Sequence, residues 1–215
     1  MYLEQRFTQI YDRLHNYFGM QNWWPADTVF EMMVGAILVQ NTNWRNAEKA
    51  LHHAKPFLTP EQLDEMPTEE LALLIRSSGF YRVKAKRIKA FLKWFQRYDY
   101  SVEYIKTFNW EVLRQELLQI NGIGRETADV ILLYAFAKPI FVVDAYARRI
   151  FYRIGWSLPD SYDALRQQVE AELGDDLLVY QEFHALLVEH AKEFCQVKPR
   201  CEHCPLQDIC EQRSK

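Results

Sequence analysis

Apolar positions recur along this chain at helical intervals. Leu3, Phe7, Ile10, Tyr11, Leu14, Tyr17 and Phe18 fall on one face at i, i+4, i+7 steps, which predicts an amphipathic first helix. The same period predicts helices over about 28–40, 44–55, 60–65, 69–77, 82–97, 110–119, 125–137, 145–154, 160–173 and 178–194. Thr59-Pro60-Glu61-Gln62 supplies an N-cap, a proline at the first helical position and a capping-box partner. No stretch alternates apolar and polar residues as a half-buried strand would. Seven glycines occur, and two of them, Gly122 and Gly124, share one turn between predicted helices. With no repeat, low-complexity segment or long linker, the pattern predicts an all-α fold with short connections.

Composition narrows the class. The 215 residues suit one large domain or two small interlocked ones. A chain 49% hydrophobic and 26% charged is neither disordered nor fibrous. No apolar run approaches the roughly 18 residues of a membrane span, and the opening MYLEQRFTQIYDRL is charged where a signal peptide would be apolar. A soluble, cytoplasmic protein without membrane association is the expectation. The net charge of −3 conceals polarity: residues 82–97 hold seven basic side chains and no acid, whereas 159–176 are acid-rich. Phe91, Leu92, Trp94 and Phe95 imply that one face of the basic helix is buried, leaving the other as an ordinary solvated face or one that tracks phosphate.

Three segments carry candidate chemistry. In Leu117–Ala128 a helix runs into Gly122-Ile123-Gly124 and out into a second helix. Such a turn packs helices, or it lets exposed amides at a helix N-terminus grip a phosphate without reading sequence. Asp144, in Val142-Val143-Asp144-Ala145-Tyr146-Ala147-Arg148-Arg149, opens a helix after an apolar stretch, as an N-cap does. All four cysteines, Cys195, Cys201, Cys204 and Cys210, lie within sixteen residues, which indicates a metal centre in a reducing compartment and not a disulfide framework. Zinc ribbons usually present two C-x2-C knuckles and this run has one, so a four-iron [4Fe-4S] cluster is preferred to zinc.

The hairpin, the aspartate after it and the cysteine loop together resemble the endonuclease III-like helix-hairpin-helix DNA glycosylase superfamily. Gln40-Asn41-Thr42 and Ser78-Gly79-Phe80-Tyr81 extend the likeness through the N-terminal half. Trp23-Trp24-Pro25, with Gly122-Ile123-Gly124-Arg125-Glu126, is most similar to the 3-methyladenine DNA glycosylase branch. The resemblance implies a six-helix barrel at 28–138, and a cluster lobe formed by 1–27 with 139–215. It implies a monomer in the nucleoid, binding double-stranded DNA that contains a damaged base in a cleft between the lobes. Asp144 would be the catalytic carboxylate, and Trp24, Trp44, Trp23 and Pro25 would line the pocket for the flipped base. Gln40 would fill the vacated space and Phe80 would wedge the opposite strand. Gly122, Gly124, Arg125 and Thr127 of the hairpin, with Lys198 and Arg200 of the cysteine loop, would hold the phosphates. The carbonyls of Leu118, Ile120 and Ile123 would hold a monovalent cation.

Departures from the family pattern refine the expected chemistry. Endonuclease III carries a catalytic lysine two residues past the second hairpin glycine, and here Glu126 stands there. A carboxylate cannot form the Schiff base of lyase chemistry, so the resemblance implies a monofunctional glycosylase acting on alkylated purines such as 3-methyladenine. Ala36 stands where mismatch-adenine enzymes carry a glutamate, and Tyr146 replaces the usual histidine of the VDxHxxR pattern. The first cysteine gap has five residues where the family commonly has six. The six histidines are read as structural, and Lys192 receives no catalytic duty. A glycosylase for oxidised pyrimidines and a non-catalytic lesion-binding protein stand as alternatives.

Overall fold

The computed structural model describes residues 5–212, so Leu3 of the first predicted helix lies outside the described residues. Among the described residues the regular structure is helical throughout, as the periodicity predicts: α1 (Arg6–Phe18), α2 (Val29–Leu38), α3 (Trp44–Ala54), α4 (Pro60–Glu65), α5 (Thr68–Leu74), α6 (Tyr81–Gln96), α7 (Val102–Lys106), α8 (Trp110–Gln119), α9 (Arg125–Tyr134), α10 (Ala145–Ile154), α11 (Tyr162–Leu173) and α12 (Leu177–Glu193), with short 3-10 turns at 55–57, 76–78 and 207–209. Side-chain caps punctuate the chain. Thr28, Asn43, Thr59, Ser101, Asn109, Asp144, Ser161 and Asp176 each accept a first-turn amide, an arrangement worth about 1 kcal/mol per helix.

Two compact units result, Met1–Trp24 with Pro139–Lys215, and Pro25–Lys138. In the second, α2 buries eight residues, from Phe30 and Met32 to Leu38, and packs against α3, α6 and α9. A helix this apolar is stable only when surrounded. Phe30, Phe91, Trp94 and Phe95 supply the aromatic part of that core, with Phe30 and Phe95 stacked at 6.3 Å. In the first unit, α12 packs against α1 and α10. Phe7 meets Phe151 edge-on at 5.2 Å, and Phe183 lies against Tyr11 and Phe141.

The structure corrects three sequence expectations. The helix predicted over 69–77 breaks at Ile75, and the 3-10 turn Arg76–Ser78 follows. Positive φ at Gly79 (+67°) and Phe80 (+47°) then swings the chain into α6. Helix α7 was not predicted, because five residues are too few to show a period. The basic side chains do not all reach solvent: Lys84 is buried and Lys89 Nζ donates to the Leu63 and Asp64 carbonyls. Arg82, Lys86, Lys93 and Arg97 keep exposed positions.

Candidate active site and cysteine loop

Asp144 follows the fully buried run Ile140–Val143, of which Val143 alone retains a trace of exposure, so its backbone is fixed before its side chain is placed. It N-caps α10 through Oδ1, which accepts the Ala147 amide at 2.7 Å. Oδ2 lies 3.6 Å from His184 Nε2 on α12. Asp144 is 8% exposed and His184 3%, so this carboxylate sits among few waters with one oxygen occupied by the cap. Sequence reasoning missed His184: a pairing across helices leaves no spacing signal along the chain. Trp23 lies 5.5 Å from the His184 ring and 4.8 Å from the Trp24 ring, and Lys192 Nζ approaches the Trp23 ring at 5.8 Å. The segment leading into these tryptophans is tied down where the Gln21 amide donates to Glu182 Oε1 at 2.6 Å.

In the other unit, α8 and α9 flank the Gly-x-Gly turn. Arg114 on α8 clamps the fully buried Asp129 on α9 through two bonds of 2.6 and 3.0 Å. Gly122 has φ +88°, and a Cβ there would fall about 2.4 Å from the Arg87 side chain, so this position demands glycine twice over. Gly124 is different. Its backbone is extended, it N-caps α9 without a side-chain bond, and an added Cβ would meet open space.

Gln40 reaches this turn. Its Nε2 donates to the Gly122 carbonyl at 3.1 Å and to Thr127 Oγ1 at 2.8 Å, while its Oε1 accepts from Arg87 Nη1 at 2.5 Å. Phe80 does the opposite: it is 70% exposed on a left-handed backbone, where a bulky residue is rare. Trp44, the first residue of α3, is half-buried, Pro25 is exposed, and Arg125 begins α9.

The four cysteines line one cavity of about 140 Å³, with Ile150, Phe194 and Leu206 also in its wall. Helix α10 holds the loop: Arg149 Nε donates to the Cys195 carbonyl at 2.8 Å, and Arg153 donates to the carbonyls of Gln196 and Val197 and to Cys195 Sγ at 3.3 Å. Arg13 on α1 adds a bidentate pair with Asp208. His190 Nε2 lies 3.2 Å from Cys204 Sγ. Burial pushes the Cys204 thiol up to about 11 and raises that of Cys210. Among the described residues no three Cys, His, Asp or Glu side chains converge as the ligands of one ion would. Lys198 and Arg200 are exposed on the same loop.

Two helices locked by a buried ion pair and joined through a Gly-x-Gly turn define a protein of the helix-hairpin-helix class. The chain belongs to the HhH-GPD superfamily of base excision DNA repair proteins, whose family model matches residues 34–174. It is 45% identical over 207 residues to a candidate DNA repair glycosylase of Methanocaldococcus jannaschii, covering 94% of each chain. It is 31% identical over 186 residues to endonuclease III of Thermotoga maritima, covering 85% of this chain and 82% of that one. Among solved structures, the H. pylori 3-methyladenine DNA glycosylase bound to 1,N6-ethenoadenine superposes with a TM-score of 0.77 at 29% identity, over 87% of this chain and 97% of that one. A non-covalent endonuclease III–DNA complex shares the fold, with a TM-score of 0.79 at 24% identity, over 99% and 97%. The protein is therefore a base-excision-repair DNA glycosylase with the all-helical fold of that family, and no described helix is long and apolar enough to cross a membrane.

Proposed function

We propose that this glycosylase hydrolyses the N-glycosidic bond of alkylated purines such as 3-methyladenine and leaves the sugar–phosphate backbone intact. The observation that carries the reading is a pair of carboxylates: a buried one at Asp144, and Glu126 where lyases of this family carry an amine. The 3-methyladenine activity named for the H. pylori protein supports the substrate class. Breaking the bond builds positive charge on the deoxyribose, and a fixed carboxylate in a poorly hydrated place stabilises that charge far better than one in water. The Ala147 amide fixes the orientation of Asp144 through Oδ1 at the α10 N-terminus, leaving Oδ2 to face the sugar and orient water. A methylated purine is already cationic and departs without a dedicated acid. Trp44, Trp24 and Trp23 with Pro25 provide faces on which a cationic base is held by about 0.5–2 kcal/mol per contact.

DNA containing a damaged base is the partner. Gly124 and the α9 N-terminus, flanked by Arg125 and Thr127, take a phosphate, and Lys198 and Arg200 take others. The hairpin carbonyls of Leu118, Ile120 and Ile123 are assigned to a monovalent cation. Cys195, Cys201, Cys204 and Cys210 are assigned to a [4Fe-4S] cluster; the donor set and the cavity fit it. When bound, such a cluster would fasten the loop that carries Lys198 and Arg200 and add a redox-active centre. The purified protein is expected to show a broad visible absorption band with about four irons per chain; a colourless, zinc-loaded protein would refute the assignment.

The activity is tested on methylated duplex DNA, with released bases identified by mass and the strands resolved with and without alkali. Release of 3-methyladenine, with breaks only after alkali, is the expected result. Strand cleavage without alkali, or release of oxidised pyrimidines alone, would overturn it.

A further inference from the structure

Lys84 is a buried charge that the reaction does not use. It is 1% exposed at the start of α6, although lysine is almost never fully buried unless paired. Among the described residues no ion pair to a carboxylate is formed by Lys84. Its ammonium instead donates to two backbone carbonyls, Leu38 at 2.7 Å and Ser78 at 2.6 Å. Leu38 is the last residue of α2, and Ser78 is the last of the 3-10 turn 76–78. A cation at a helix C-terminus meets orphan carbonyls and the negative end of the dipole, and here one ammonium closes two such ends. Burial, helped by the nearby Arg87, lowers its pKa to about 8, so the site holds a charge at a desolvation cost that an apolar side chain of the same length would avoid.

The two ends lead directly into the two loops that carry Gln40 and Phe80. Two residues past Leu38 comes Gln40, followed by Asn41 at φ +51°; two past Ser78 comes Phe80 at φ +47°. One turn further along α6, Arg87 holds the Gln40 side chain. We propose that Lys84 is a positioning residue, whose bonds to Leu38 and Ser78 set the separation of the Gln40 and Phe80 loops so that both enter the duplex together. The inference rests on the DNA-inserting role of those loops. The bonds supply what neither loop has by itself, a shared fixed point in the core.

The test compares wild type, Lys84→Met, Lys84→Arg and the Gln40→Ala/Phe80→Ala double variant, alone and combined with Lys84→Met. Each is assayed on a methylated strand in duplex and in single-stranded form. A duplex carrying 2-aminopurine opposite a stable abasic analogue reports unstacking by fluorescence without any catalysis, and thermal melting is followed alongside. Lys84→Met is expected to lower duplex excision at least tenfold and the fluorescence rise at least twofold, while single-strand excision stays within about twofold. Lys84→Arg should recover most of the loss, and Lys84→Met should add less than twofold to the double variant. Should Lys84→Met fail to fold, Lys84→Gln, neutral and too short to reach both carbonyls, is measured with the same expectations. Wild-type duplex excision and fluorescence in the Lys84 variant, equal loss on duplex and single strand, or full additivity with the double variant would overturn the proposal. If the double variant itself unstacks and excises like wild type, the loop reading has failed and the proposal falls with it, a result separable from failure at Lys84 alone.

Discussion

Asp144→Asn is expected to slow base release by at least about 10²–10³-fold, the size seen when one preorganised group facing a developing charge is removed, while duplex binding is retained. Asparagine caps a helix about as well as aspartate, so the bond to the Ala147 amide and the start of α10 survive. What disappears is the negative charge on the oxygen facing His184. Single-turnover release on methylated duplex, with binding measured on the same DNA, is the check. A variant that releases base within a few-fold of wild type would make Asp144 a cap and nothing more. A wild-type protein that binds damaged duplex and never releases a base would point to lesion sensing.

Replacing Gln40 and Phe80 together by alanine is expected to lower excision from duplex about 100-fold and to leave single-strand excision within a few-fold. Flipping a base costs a few kcal/mol, and about 3 kcal/mol left unoffset corresponds to roughly that factor in rate. Phe80, 70% exposed, has little packing to lose, so its share of the effect reports on DNA. Gln40 is less simple, since its amide bridges the hairpin carbonyl of Gly122, Thr127 and Arg87. Its removal should also loosen the turn by about 1 kcal/mol per lost bond, which thermal melting separates from the rate. Duplex excision at the wild-type level would remove both residues from the insertion step.

Much of this molecule is legible along the chain because helices are local. The 3.6-residue period, Thr59-Pro60 and the cap at Asp144 are written within one or two turns, and α4 and α10 fall where those signals place them. Gly122 is legible too, since a Gly-x-Gly between two helical patterns announces a turn. At Gly124 the sequence offered packing or phosphate contact, and the folded chain adds that no protein atom lies within 4 Å of where a Cβ would stand. Basic composition did not tell which charges turn inward. Arg82, Lys86, Lys93 and Arg97 lie on the exposed face that the sequence implies, yet Lys84, Arg87 and Lys89 each turn to a carbonyl or an amide of the protein. Lysine stems are long enough to carry the charge to a distant helix end, and no local pattern records which end that is.

Alone, the sequence determined the all-helical class, the hairpin, the candidate aspartate and the four-cysteine loop, since each depends on residue type and short spacing. Tertiary structure decided which groups meet: His184 with Asp144, Gln40 with Gly122, Arg153 with Cys195, and Lys84 with the ends of two elements. Those pairings join residues far apart in the chain, and packing of the helices, not their periodicity, brings them within bonding distance.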